Sequence, residues 1–232
     1  MNVSRALSLI LVLLVLGTSR CIAQQAEATP ASSSASQLSA DSREAEREPA
    51  ILAKPEFAES PLLYFPIGAF EQNPQLSRRK ENWYSQFLFV MGEPSLLALS
   101  KTADTKVYRF LLILNHRALS FRLTVNADGS GSLTTKAVVV QTKGPDSFQT
   151  KVAIPVSKDQ VADFLNLLKK IQFWSAEPER LMEDNRYKMD NGEWVLEGVS
   201  NHQYHVIDRW APEDSDFTRT SLFLMQLARN HQ

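Results

Sequence analysis

Five polar residues near the end of the chain are of the types that carry chemistry: Glu193, Glu197, His205, Asp208 and Arg209. Carboxylates serve as general acids, bases or nucleophiles, a histidine moves protons near neutrality, and an arginine holds an anion or a developing negative charge. All five fall in two strand-like runs, Glu193–Val199 and Gln203–Trp210, hinged near Asn201-His202. With that hinge as the turn, Trp194 faces Arg209, Val195 faces Asp208, Leu196 faces Ile207 and Glu197 faces Val206. Trp194, Leu196, His205, Ile207 and Arg209 then share one face of the hairpin. Glu193, Glu197, Asp208 and Trp210 share the other with Val195, Val199, Tyr204 and Val206. His205 and Asp208 point oppositely in any register, which works against a local acid–histidine pair. Two readings follow. In one, the hairpin is structural, with Arg209 partly buried on the Trp194 indole and holding the last two strands in register. In the other, it supplies the acid, histidine and arginine of a hydrolase or transferase whose remaining groups lie far off in sequence.

Other chemistries have weaker signatures. His202 and His205 are three apart in an extended run, so they cannot both face one metal ion, and His116 and His231 are remote. No serine lies in a nucleophile elbow. Asp128-Gly129-Ser130-Gly131-Ser132 has the glycines of a phosphate loop but neither the lysine nor the helix, so it reads as a hairpin turn. Its single Asp128 is too few acids for calcium. The residues therefore call for no catalytic assignment, no metal and no cofactor.

The elements that must position the hairpin are legible. Leu76, Trp83, Phe87, Leu88 and Met91 recur at helical spacing, and Gly92 and Pro94 end that helix. Val107–Leu114, Ala118–Val125, Gly131–Thr142 and Phe148–Ile154 read as strands joined by short turns, hence antiparallel. Ser157 and Gln160 form a capping box, with Val156 and Val161 as a staple. Val161, Phe164, Leu165, Leu168 and Ile171 then give one apolar stripe. A polar connection, Glu177–Gly192, leads to the hairpin. A last helix of about 217–229 follows the acids Glu213, Asp214 and Asp216, which suit a helix N-terminus. Its Leu222-Phe223-Leu224-Met225 core is apolar on nearly all sides, so burial is expected. The predicted fold is α+β: one domain over 76–232, a twisted antiparallel sheet of about six strands, two later helices on one face and an N-terminal helix.

Upstream the polymer changes character twice. Arg5, the apolar run Ala6–Leu16 and the small residues of Cys21-Ile22-Ala23 read as a secretory signal over 1–23, cleaved after Ala23. The run is too short to span a bilayer. A lipoprotein signal acylated at Cys21 is the alternative, disfavoured because bulky Arg20 precedes the cysteine. Residues 24–50 hold a single Leu (Leu38) and no aromatic, Ile or Val, as expected of a disordered Ala/Ser/Glu-rich linker. Residues 51–75 combine Pro55, Pro61, Pro66 and Pro74 with Phe57, Leu62, Leu63, Tyr64, Phe65, Ile67 and Phe70. They read as an arm packed along the domain, the alternative being an exposed peptide that binds a partner.

The chain has 25 basic and 26 acidic residues, a balance that gives no clustered basic surface for nucleic acid. No second apolar run reaches spanning length, so the mature chain is expected to have no transmembrane span. With Cys21 removed, no thiolate or disulfide would remain, and the core must supply stability.

Trp83-Tyr84-Ser85, Gly92-Glu93-Pro94-Ser95-Leu96, Tyr108-Arg109-Phe110-Leu111, Trp194-Val195-Leu196-Glu197-Gly198-Val199 and Tyr204-His205-Val206-Ile207-Asp208-Arg209-Trp210-Ala211-Pro212 resemble a group of predicted exported bacterial proteins of unknown function. The likeness covers about residues 83–232 and implies export and an α+β fold, with no activity attached. The expectation is an exported, periplasmic or secreted, non-catalytic domain that binds an unknown protein or small ligand. The alternative is the hydrolase or transferase with its site on the C-terminal hairpin.

Overall fold

In the computed structural model, residues 64–102, 104–114, 117–139, 147–177, 192–210 and 215–230 are described. All lie within a compact unit spanning Ile51–Gln232. The signal and linker readings (1–50), the arm residues 51–63, the connection 178–191 and Ala211–Asp214 fall outside the described residues.

Six strands make one antiparallel sheet: β1 (Lys106–Leu114), β2 (Arg117–Val125), β3 (Gly131–Val139), β4 (Ser147–Val156), β5 (Glu193–Ser200) and β6 (Gln203–Trp210). Their spatial order is β4-β3-β2-β1-β5-β6. The first four form a meander, as short turns dictate, and the hairpin adds to its open side along β1. Four helices cover the sheet: α1 (Pro74–Val90), α2 (Leu96–Thr102), α3 (Lys158–Lys170) and α4 (Asp216–Arg229).

Strand register sorts the side chains into two faces. One carries Tyr108, Phe110, Phe121, Leu133, Trp194, Leu196 and Ile207, all buried. α3 and α4 pack here. Phe164 meets the Tyr108 ring at 5.5 Å and Phe223 of α4 at 6.2 Å, and Phe110 lies 5.1 Å from Trp194. α3 begins at the expected capping box, and its Val161, Phe164 and Leu168 are buried. Full burial of such side chains stabilises by about 1.5–3 kcal/mol each. Gly198 lets the Tyr108 ring lie on the backbone, since a Cβ there would come within 2.7 Å of it.

The opposite face takes α1 and α2. Tyr84, Phe87, Leu88 and Met91 pack on Leu111, Ile113, Ala118, Val138, Val195 and Val206, together with Tyr64, Phe65 and Phe70 from the preceding arm. The described part of the arm is thus built into the core, as the aromatics suggested. It is anchored by polar groups of α1: Glu81 accepts from the Gly68 amide at 2.6 Å and the Ser77 hydroxyl at 2.9 Å, and Ser77 Oγ accepts from the Phe70 amide at 3.2 Å.

Four details depart from the sequence reading. α1 starts at Pro74, with Asn73 as N-cap, so Leu76 falls in the solvated first turn and is 42% exposed instead of lying in the stripe. Its buried side instead includes Ser77, Glu81 and Ser85. α2 was not expected at all; seven residues are too few for a visible period. In α4, Leu224 and Met225 are buried, whereas Leu222 and Phe223 are only half-buried at the helix flank.

Candidate functional site

The hairpin forms in the expected register, with Trp194 opposite Arg209, Val195 opposite Asp208, Leu196 opposite Ile207 and Glu197 opposite Val206. Asn201 and His202 both take positive φ, 50° and 62°, as a two-residue hairpin turn requires. The five nominated residues do not converge. They separate into three environments.

His205 and Arg209 lie on the α3/α4 face. His205 Nε2 is 2.8 Å from the Ala176 carbonyl, and its ring packs edge-on against Phe173 at 5.2 Å. Arg209, half-buried, donates to the Asp208 carbonyl at 2.8 Å and to the Glu177 carbonyl at 3.0 Å. Its guanidinium carbon lies 5.5 Å from the centroid of the Phe217 ring on α4, an aromatic partner not foreseen from the hairpin alone.

Glu197 lies on the other face, in a buried charge network centred on Arg109 of β1. Arg109 is 0% exposed. It donates through Nε to Glu197 Oε1 at 2.7 Å, and through Nη1 to Glu93 Oε2 at 3.2 Å and the Pro94 carbonyl at 2.8 Å. Glu93 also accepts from Arg122 Nε at 2.9 Å and lies 3.3 Å from Lys136 Nζ. Tyr204 donates its hydroxyl to Glu197 Oε2 at 3.0 Å, and Tyr64 donates to the Glu93 carbonyl at 2.9 Å.

Local sequence explains how Glu93 reaches this place. The Gly92 amide donates to Phe89 and the Glu93 amide to Leu88, the paired bonds of a Schellman helix end, with Gly92 at φ 59°. That turn swings Glu93 under the helix onto the sheet. Lys136 Nζ closes the same helix end from β3 by donating to the Met91 and Gly92 carbonyls at 2.9 and 2.8 Å. Burial pushes the Glu197 carboxyl above its ordinary range, against the pull of Arg109. Arg109 is held up by Glu197 and Glu93, which outweigh the burial that opposes its charge.

Glu193 and Asp208 form the third environment, with Lys80 of α1. Lys80 Nζ donates to Asp208 Oδ2 at 2.8 Å and lies 3.2 Å from Glu71 and 3.8 Å from Glu193. The buried Tyr84 hydroxyl stands beside Glu193. Here three carboxylates face one ammonium. Burial, reinforced by Asp208, pushes Glu193 up to about 7 despite Lys80. Burial likewise raises Asp208. Burial opposes the charge on Lys80, but Asp208 and Glu193 outweigh it and bring the amine to about 12.

Sequence reading therefore found the carboxylates and missed what they bind. One signal was available for Arg109: a lone cation inside the apolar run Val107–Leu114, in a strand bordered on both sides, must find a buried anion. For Lys80, Glu93 and Tyr84 no local signal exists, because each serves through the tertiary placement of α1.

Chemically, the Arg109 network is a closed set of ion pairs whose charged groups bind one another. The Lys80 cluster has the composition of an acid–base pair beside a cation, under a helix. Among the described residues no group of three or more His, Cys, Asp or Glu is placed to hold a metal ion, and no helix is long and apolar enough to cross a membrane. No family model, curated protein or solved structure matches the chain.

Proposed function

We propose that this chain is an exported, non-catalytic binding or interaction domain. The observation that carries the reading is the state of the polar sheet face. Glu93, Arg109 and Glu197 are all but sealed from solvent and engaged with one another. Groups so committed stabilise and orient a fold; a reacting centre needs groups that can reach a substrate. His205 and Arg209, the other expected catalytic types, are held by backbone carbonyls and aromatic rings on the opposite face. Export rests on the signal-like residues 1–23 and on the resemblance to exported proteins. Its partner in that reading is a protein or a small ligand.

A second reading, the hydrolase or transferase, draws on one observation: Glu193 and Asp208, both pushed up by burial, flank Lys80. One experiment separates the two. The purified protein is assayed against panels of ester, glycoside and phosphoryl substrates, beside Glu193→Gln and Asp208→Asn variants shown to be folded. The binding-domain reading expects no turnover above the variants. Turnover lost in folded Glu193→Gln or Asp208→Asn overturns it in favour of the enzyme. Cleavage after Ala23 is checked separately by intact mass of the exported protein, with an N-terminus at or near Gln24 expected and a diacylglyceryl adduct on Cys21 contradicting it.

A further inference from the structure

The Lys80 cluster leaves an imbalance that its protein neighbours do not resolve. Glu71 from the arm, Lys80 and Tyr84 from α1, Glu193 from β5 and Asp208 from β6 meet at one end of the hairpin, and Arg209 adds its charge near Asp208. The Tyr84 hydroxyl faces Glu193, while two buried atoms there, Asp208 Oδ1 and Trp210 Nε1, have no hydrogen-bond partner. Native proteins pair nearly all such atoms, so an orphaned carboxylate oxygen among three carboxylates around one ammonium calls for a missing donor. The carboxylates are not placed to share a metal ion, and Lys80 already stands among them. A proton is the species that fits. On one carboxyl it removes a negative charge and converts an orphaned acceptor into a donor.

We propose that Glu71, Lys80, Glu193 and Asp208 form a proton-operated latch between α1 and the β5–β6 hairpin. The latch is closed while the Glu193–Asp208 pair keeps one proton, and it loosens when that proton leaves. Geometry gives the latch its two sides. Lys80 and Glu71 belong to α1 and the arm before it, whereas Glu193 and Asp208 belong to the sheet and are buried beneath them. Lys80 attracts the sheet carboxylates, but one ammonium cannot offset Glu71, Asp208 and Glu193 together, so a further buried negative charge works against the closed contact. The high titration of Glu193 agrees with this. The C-terminal half of α1 is held separately by Phe87, Leu88 and Met91 in the core. The arm and the first half of α1 keep Phe65, Phe70 and Tyr84 in the same core, so loosening there is partial and local.

The sign follows from linkage. In the closed form Glu193 titrates at about 7, against an ordinary value of 4.5 once α1 lifts, so the closed form is favoured below 4.5 and loses that advantage as pH rises to 7. Hydrogen exchange of the full chain between pH 4.5 and 8.5, corrected for the intrinsic rate, reads this directly. Protection of residues 74–84 relative to β1 should fall by at most about tenfold per pH unit up to about pH 7 and then level off. In Glu193→Gln, which cannot ionise, the fall should vanish. Protection that does not depend on pH in the native chain, or a Glu193→Gln slope equal to it, overturns the latch. Should Glu193→Gln not fold, carboxyl carbon NMR of the native chain decides: a glutamate titrating near 7 is expected, and carboxyls all titrating below about 5 defeat the proposal.

Discussion

Two charge clusters occupy the same face of one sheet, near opposite ends of α1, and they are built on different terms. Around Arg109, three cations (Arg109, Arg122, Lys136) meet two carboxylates, Glu93 and Glu197. Backbone carbonyls of Met91, Gly92 and Pro94 take up further donors. Around Lys80, three carboxylates meet one ammonium, and Asp208 Oδ1 has no hydrogen-bond partner. In the first cluster each carboxylate has a guanidinium against it and the cations are in excess, so it acts as a fixed joint. The second is acid-rich, so protons complete it. Burial alone therefore does not predict the behaviour of an ionic cluster; the count of opposite charges within reach does.

The sharpest way to break this contrast is at Arg109. Arg109→Met leaves Glu197 buried without its cation and should cost about 3–5 kcal/mol, read from the denaturant midpoint. Adding Glu197→Gln should recover part of that loss, because no uncompensated charge remains. Arg109→Lys should recover little, since one ammonium cannot reach Glu197, Glu93 and the Pro94 carbonyl together. An effect below about 1 kcal/mol would mean that the network is not the joint described.

Lys80→Met tests the other cluster. It removes the ammonium that faces Glu71, Asp208 and Glu193 together, and should cost about 2–3 kcal/mol at pH 8. At pH 5 the loss should shrink, because Glu193, already raised to about 7, takes up a proton instead. Thermal melts of both variants across that range check this. Arg109→Met should also lose less at low pH, because Glu197, raised by burial and stripped of its cation, can then take up a proton.

Smaller effects sharpen the account of how each cluster is positioned. Gly92→Ala meets no steric obstacle, as its Cβ would lie 3.9 Å from Lys136 Nζ, but the residue must hold φ 59°. About 1 kcal/mol should be lost, with the position of Glu93 disturbed. Arg209→Ala removes a half-buried guanidinium lying over Phe217 and should also cost about 1 kcal/mol. That is well below Arg109→Met, although the sequence made Arg209 the more conspicuous arginine. Ser157→Ala, remote from both clusters, should cost on the order of 1 kcal/mol through the lost cap and leave the pH profile unchanged.

Much of the architecture was written locally. The alternation of Phe121, Leu123 and Val125 with Ser120, Arg122 and Thr124, the turn residues Asn201-His202, and the Ser157–Gln160 capping box each act within a few residues. Strand identity, hairpin register and the α3 start therefore follow from the chain itself. The sorting of Glu193, Glu197 and Asp208 away from His205 and Arg209 follows too, since a strand has period two. What each carboxylate binds does not. Arg109 and Glu197 are 88 residues apart, and Lys80 and Asp208 are 128 apart. Their meeting depends on the hairpin docking beside β1 and on α1 crossing the face it makes. A charge carries no address: side-chain period and turn chemistry decide which way a residue points, whereas the partner waiting there is set only when distant elements share one buried surface.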